Sequence, residues 1–278
     1  MFRKRSQPQA TARAERDWRS FDTIAETYDR VRFPVHRPAA HDLVQALGSP
    51  GPEGFLDVGT GTGVLATAAE EAGWKKVAGI DRSLPMLVIA GGRGVRRLAV
   101  ADAIDLPFRD STFQAVGAAF VIHTFTRYDT ALFDMRRVLR AGGRMAVATW
   151  GESDDEFTRA WRAVAERYTT KEMLRDAVNR AAPWQERFSD PTRLEETLRD
   201  TGLRSVEVNR RQYRSTTTLE DYLAGREVSA TGRFLRAILG EALWERFRAQ
   251  VEEEFRTRFR DPIGDTNDVL IAVGTKER

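Results

Sequence analysis

One segment constrains this chain more than any other: Phe55-Leu-Asp-Val-Gly-Thr-Gly-Thr-Gly-Val-Leu-Ala66. A short apolar run reads as a buried strand, breaks on Gly59, Gly61 and Gly63, and passes at once into a helical pattern. Glycine adopts positive φ without steric cost and lets backbone approach a ligand closely. The helix N-terminus adds free N–H donors at the same point. The combination predicts a nucleotide-type site. It is not the dinucleotide fingerprint G-x-G-x-x-G, because the third glycine comes one residue early. Asp57, just before the first glycine, repels a pyrophosphate and suits a cationic ligand. A phosphate-free nucleoside carrying an ammonium and a sulfonium, such as S-adenosylmethionine, fits these residues better than NAD does.

The surrounding pattern places this turn in an α/β sheet. Strands are expected at 55–58, 76–80, 97–100, 115–122 and 144–150, with helices at 64–72, 84–90 and 130–139 between them. Such alternation with short loops means a doubly wound, mostly parallel sheet covered on both faces. Before it, Trp18 to Leu47 is helical, interrupted by Pro34 and Pro38, with a second helix over 39–47. After Trp150 come helices over 157–180, 192–201 and 219–259, and closing strands at 204–214 and 267–275. Asp81 ends the second strand and Asp102 the third. A carboxylate at the first of these tips accepts from ribose hydroxyls. One at the second accepts from an adenine amine, with the next backbone N–H, that of Ala103, serving a ring nitrogen. Each also has a bland role, Asp81 as a helix cap and Asp102 as a turn residue. All three carboxylates converge on the crevice where open parallel sheets bind ligands.

Composition closes off other chemistry. With no cysteine among 278 residues, disulfides, iron–sulfur clusters, thiolate zinc sites and cysteine nucleophiles are excluded. Three histidines, His36, His41 and His123, are too scattered for a metal cluster, so no metal is expected. Lys and Arg number 44 against 41 acidic residues, too even a balance for nucleic acid to be the expected partner. The basic start, residues 1–17, reads as a flexible tail. No apolar run approaches the ~18 residues needed to span a bilayer. A cytoplasmic protein, monomer or homodimer, is expected.

The chain resembles a family on these residues: Phe21-Asp-Thr-Ile-Ala-Glu-Thr-Tyr28, then LDVGTGTG, GIDRS, Asp102-Ala-Ile-Asp-Leu-Pro-Phe108 and Val138-Leu-Arg-Ala-Gly-Gly-Arg-Met145. It is similar to the class I S-adenosylmethionine-dependent methyltransferases, near the type 11 and ubiquinone-biosynthesis-like group, over residues 18–150. Gln114 and Ala141 depart from the family's Asp and Pro. The resemblance implies a seven-stranded Rossmann-like sheet with an N-terminal helical lid (18–47), a cofactor-binding core (53–150) and helical insertions at 151–203, after the fifth strand, and at 215–262. It implies that Gly59, Thr60, Gly61 and Gly63 pass the methionine part of the cofactor and that Asp57 orients its amino group. Asp81 with Arg82 takes the ribose, Asp102 and Ala103 the adenine, and the backbone at Phe120 faces the ammonium. Tyr28 and Arg32 (or Arg37) cover the methyl and pair with the cofactor carboxylate.

Methyl transfer needs alignment and sometimes removal of a proton. His123, following the fourth strand, is the candidate base, with a loop packing role as its bland counterpart; an ordinary imidazole value near ~6.5 suits it. Trp150, Trp161 and Trp184, with Tyr168 and Phe188, are candidates to line the acceptor site, or to pack helices. The expected acceptor is a small organic molecule, methylated on oxygen first and carbon next. Rivals are an RNA methyltransferase, a non-catalytic S-adenosylmethionine-binding protein acting through a partner, and a nicotinamide oxidoreductase.

Overall fold

The computed structural model describes residues 17–152 and 155–277. The basic tail expected at 1–17 lies outside them but for its last residue.

Alternation along the first strand, β1 (Phe55–Val58), sets the layers. Phe55 packs into one core with Leu43, Leu65 and Trp74, while Leu56 and Val58 point into another with Val116, Leu132 and Met135. Successive side chains on a strand face opposite ways, so one buried strand feeds two cores. Helix α1 (Ala25–Leu47) covers the first face, followed in the chain by α2 (Val64–Glu71), β2 (Val77–Asp81), α3 (Leu84–Gly92) and β3 (Arg97–Val100). Then come β4 (Phe113–Ala119), α4 (Tyr128–Val138) and β5 (Leu139–Trp150). Four helices follow: α5 (Glu156–Ala165), α6 (Lys171–Ala181), α7 (Gln185–Phe188) and α8 (Pro191–Asp200). The chain closes with β6 (Leu203–Thr217), α9 (Leu219–Glu227), α10 (Ala230–Arg258) and β7 (Ile263–Lys276).

The seven strands run in the order β3-β2-β1-β4-β5-β7-β6. The first five are parallel, and β7 is antiparallel to both of its neighbours. The order reverses between β1 and β4, which opens a crevice at their carboxyl ends. The doubly wound expectation holds, and the closing strands prove longer than expected. β6 and β7 pair from Leu203↔Lys276 to Thr217↔Ile263, forming a long ribbon that leads into α9 and α10. β6 is the border of the sheet and exposes Arg204, Arg210, Arg211 and Arg214.

Two helical expectations are corrected. Pro34 and Pro38 do not split the N-terminal region: α1 runs through both. Each proline removes one backbone bond, and burial of Ala39, Ala40, Leu43 and Leu47 keeps the helix together. The helix expected at 157–180 is two, because Thr170 starts a new one by accepting from the Met173 amide at 3.2 Å.

The insertions after β5 and between β6 and β7 share a third core of Trp161, Val164, Leu235, Trp244, Phe247 and Phe255. This lid is tied to the N-terminal segment. Trp18 meets Phe234 edge-on, Arg30 pairs with Asp221, and the Arg233 guanidinium donates to the Arg19 and Ser20 carbonyls. Trp161 is 2% exposed within that core, edge-on to Phe247, and Tyr168 packs on the same ring. Their expected place on the acceptor wall is therefore corrected: the helical spacing that suggested it serves lid packing. Trp161→Ala should cost about 3–5 kcal/mol in urea denaturation. A loss below about 1 kcal/mol would put the ring at an open wall instead.

Candidate cofactor and acceptor site

The glycine turn is built as its spacing implied. Gly59, Gly61 and Gly63 have φ of 71°, 53° and 90°, a region open to glycine and costly for other residues. At Gly59 a side chain is excluded twice over, since a Cβ there would stand 2.6 Å from a Val121 methyl. That contact presses the exit of β4 against the turn. At Gly61 a Cβ would meet nothing within 4 Å, so the turn faces open space there.

Asp57 sits beneath the turn, 1% exposed. Its Oδ2 accepts from the Thr60 hydroxyl at 2.6 Å and the Ala66 amide at 3.0 Å. Its Oδ1 is buried with no partner. Burial raises the carboxyl to about 7, against the pull of the two hydrogen bonds. Asp81 accepts from the Gly61 amide through Oδ2 and from the Ser83 amide through Oδ1, both at 2.9 Å. Burial raises this carboxyl too, and the backbone donors oppose the shift. Its bland role falls to Ser83, whose hydroxyl caps α3 by accepting from Met86. At the third tip, Asp102 accepts from the Ile104 amide at 3.3 Å and lies 3.7 Å from the exposed Arg82 guanidinium. Ala103 beside it is buried. The three carboxylates thus stand at the carboxyl ends of adjacent strands β1, β2 and β3.

The β4 and β5 tips form an aromatic wall. Phe120 has φ 56° and donates its amide to Ala148. Its ring stacks on Trp150 at 4.2 Å and on His36 at 4.4 Å between centroids. His123 follows on a short 3-10 turn, 8% exposed, with Nδ1 unpartnered. Burial lowers its imidazole to about 4, well below the ordinary value that recommended it as a base. Trp184 pins this loop: its amide donates to the His123 carbonyl and its indole N–H to the Phe125 carbonyl. Trp184 therefore supports the wall through the loop, and Phe188 is fully buried in the sheet core. On the opposite side, α1 presents Tyr28, edge-on to His36 at 6.0 Å. Arg32 donates to the Gly225 carbonyl of α9 at 2.8 Å. Arg37 turns outward to an exposed pair with Glu71, which corrects its expected role at the cofactor. His36 went unassigned in the sequence, although Tyr28, Arg32 and His36 at four-residue spacing share one helix face.

These residues fit S-adenosylmethionine. A bare buried carboxylate oxygen suits an ammonium, the turn leaves room in front of Gly61, and carboxylates stand at the next two tips. Among the described residues no group of ligating side chains could hold a metal, and no helix is long and apolar enough to cross a membrane.

Residues 56–147 match the family model described as "Methyltransferase domain". The demethylmenaquinone methyltransferase of Thermus thermophilus is 44% identical over 137 residues, 46% of this chain and 62% of that protein. The ubiquinone/menaquinone biosynthesis C-methyltransferase UbiE of Laribacter hongkongensis is 34% identical over 158 residues, 51% of this chain and 59% of that one. The chain thus covers less than two thirds of either relative. Phosphoethanolamine N-methyltransferase 2 of Haemonchus contortus, solved with S-adenosyl-L-methionine, shares the fold. Its TM-score is 0.58 at 19% identity, over 94% of this chain and 60% of that one. Over residues 56–147 the chain is therefore similar to methyltransferase domains, and its fold is the one found in that S-adenosyl-L-methionine-bound enzyme. About half of the chain is similar to methyltransferases named for ubiquinone and menaquinone biosynthesis.

Asp57 makes the site pH-sensitive in a defined direction. Its folded value, about 7, lies above the ordinary 3.8, so ionising it costs folded stability. The cost is absent below about pH 4 and complete above about pH 7. Asp57→Asn should therefore match or exceed the ligand-free wild type in Tm at pH 8, lose that advantage at pH 4, and no longer be stabilised by S-adenosylhomocysteine. Wild-type affinity for that ligand, measured by calorimetry, should tighten about tenfold from pH 6 to pH 8 as the carboxylate ionises.

Proposed function

We propose that the chain transfers the methyl group of S-adenosylmethionine to a small organic acceptor with an oxygen-bearing ring. The observation that carries this is the bare oxygen of Asp57 beneath an open glycine turn, at the point where the strand order reverses. Ring carbon is our first choice of atom, supported by relatives named for menaquinone and for C-methylation in quinone biosynthesis. Oxygen, placed first from sequence alone, becomes the alternative and rests on His123.

When bound, the cofactor supplies a methyl group on a sulfonium with a neutral leaving group, so the protein's task is alignment. In this reading Asp57 holds the ammonium, Asp81 the ribose and Asp102 with Ala103 the adenine, while Arg82 stands outside the ribose. Tyr28 covers the methyl from α1. Arg32, already bonded to α9, fastens the lid over the methionine end and keeps donors for its carboxylate. Phe120 and Trp150 offer the acceptor a flat apolar wall. His123, neutral at physiological pH, accepts a hydrogen bond from an acceptor hydroxyl and takes its proton as the methyl bond forms; in transfer to ring carbon, the hydrogen of that carbon then passes as a proton to the freed oxygen as the ring re-aromatises. The lid core keeps water out.

Saturating S-adenosylhomocysteine should raise Tm by several degrees. With S-adenosylmethionine and 1,4-naphthohydroquinone, anaerobic turnover should yield S-adenosylhomocysteine and a ring-methylated product by mass spectrometry. No thermal shift would sink the cofactor assignment, and an O-methylated product would select the alternative. His123→Ala should slow turnover ~10²-fold if the imidazole takes the proton. At saturating cofactor the acid limb of kcat should then lie near pH 4, well below the ~6.5 of a free imidazole.

A further inference from the structure

His36 is the one large polar residue of the aromatic wall with no place in the mechanism above. It is 5% exposed, stacked on Phe120 at 4.4 Å and tilted against Trp150 at 5.3 Å. Its Nε2 is buried without a hydrogen-bond partner. His123, on the neighbouring turn, keeps a buried Nδ1 bare as well. An unsatisfied buried nitrogen carries its full desolvation penalty. The fold retains two of them at the tips of β4 and β5, beside the turn that Val121 presses against Gly59. A hydrophobic ring in place of His36 would stack equally well without that penalty.

We propose that His36 is a specificity-determining residue for the acceptor: an aromatic ring packs against the edge of the Phe120–Trp150 pair, and one of its oxygens hydrogen-bonds the His36 imidazole. With His123 serving a second oxygen, the pair selects a ring oxygenated at two positions. This rests on the methyltransferase reading above. A neutral imidazole has one donor and one acceptor nitrogen, so it serves a hydroxyl or a keto oxygen alike. Burial, with Arg32 and His123 nearby, keeps His36 neutral across the physiological range. Entry of the ring requires the turn carrying His36 to yield. Pro34 and Pro38 bracket that turn and have no N–H, so α1 lacks two of its i→i−4 bonds there. The prolines thus free the one stretch of α1 that must shift.

Binding to the full chain saturated with S-adenosylhomocysteine tests this, with 1,4-naphthohydroquinone and 1-naphthol as probes differing by one oxygen. Wild type should prefer the dioxygenated ring by about tenfold. His36→Phe keeps an aromatic ring and should abolish the preference while S-adenosylhomocysteine affinity stays unchanged. His36→Asn restores a polar group and should recover part of it. The proposal is overturned if wild type shows no preference or binds neither probe. It is equally overturned if His36→Phe keeps the preference, or weakens both probes and S-adenosylhomocysteine together, the mark of a merely structural role. Failure of S-adenosylhomocysteine to bind wild type would instead remove the methyltransferase reading itself.

Discussion

A single carboxylate oxygen joins three pieces of backbone. Oδ2 of Asp57 receives the Thr60 hydroxyl and the Ala66 amide, so the tip of β1, the glycine turn and the first turn of α2 are clamped to one point. The clamp spends one oxygen on structure and leaves the other bare in a dry environment. Its burial is what raises the carboxyl and makes it receptive to a cation. Asp81 repeats the device on a smaller scale, holding the Gly61 amide and thereby shaping the same turn from the next strand.

The sheet and lid divide the remaining work. Strand order puts the carboxylates on the β1–β3 side of the crevice and the aromatic wall on the β4–β5 side. The lid brings its own apolar core, so it is a folded body and not a loose flap. Helix α1 belongs to both: residues beyond Pro38 are buried against the sheet, while Arg30 and Arg32 bond to α9. The sheet and the helical insertions are thereby joined by one continuous element.

What the chain disclosed before folding was local. The turn and the strand-end places of Asp57, Asp81 and Asp102 were legible because they depend on neighbours within a few residues. Trp161 was misjudged because an amphipathic helix looks the same whether its apolar side faces a lid core or a ligand. The prolines of α1 read as breaks, since nothing local reveals that tertiary burial holds the helix through them. His36 lay hidden because its partners, Phe120 and Trp150, are more than eighty residues away and meet it only through the sheet. His123 was found, but its basicity is set by burial, which spacing does not report.

The long β6–β7 ribbon carries a colloidal consequence. A border strand of 15 residues exposes a row of unpaired amides and carbonyls that could template pairing with another chain. Arg204, Arg210, Arg211 and Arg214 line that border. Two molecules approaching edge to edge would bring like charges face to face. Arg204 and Arg210 are paired with Glu277 and Asp268, so Arg211 and Arg214 carry most of the like charge that opposes such pairing and guards this margin of the sheet.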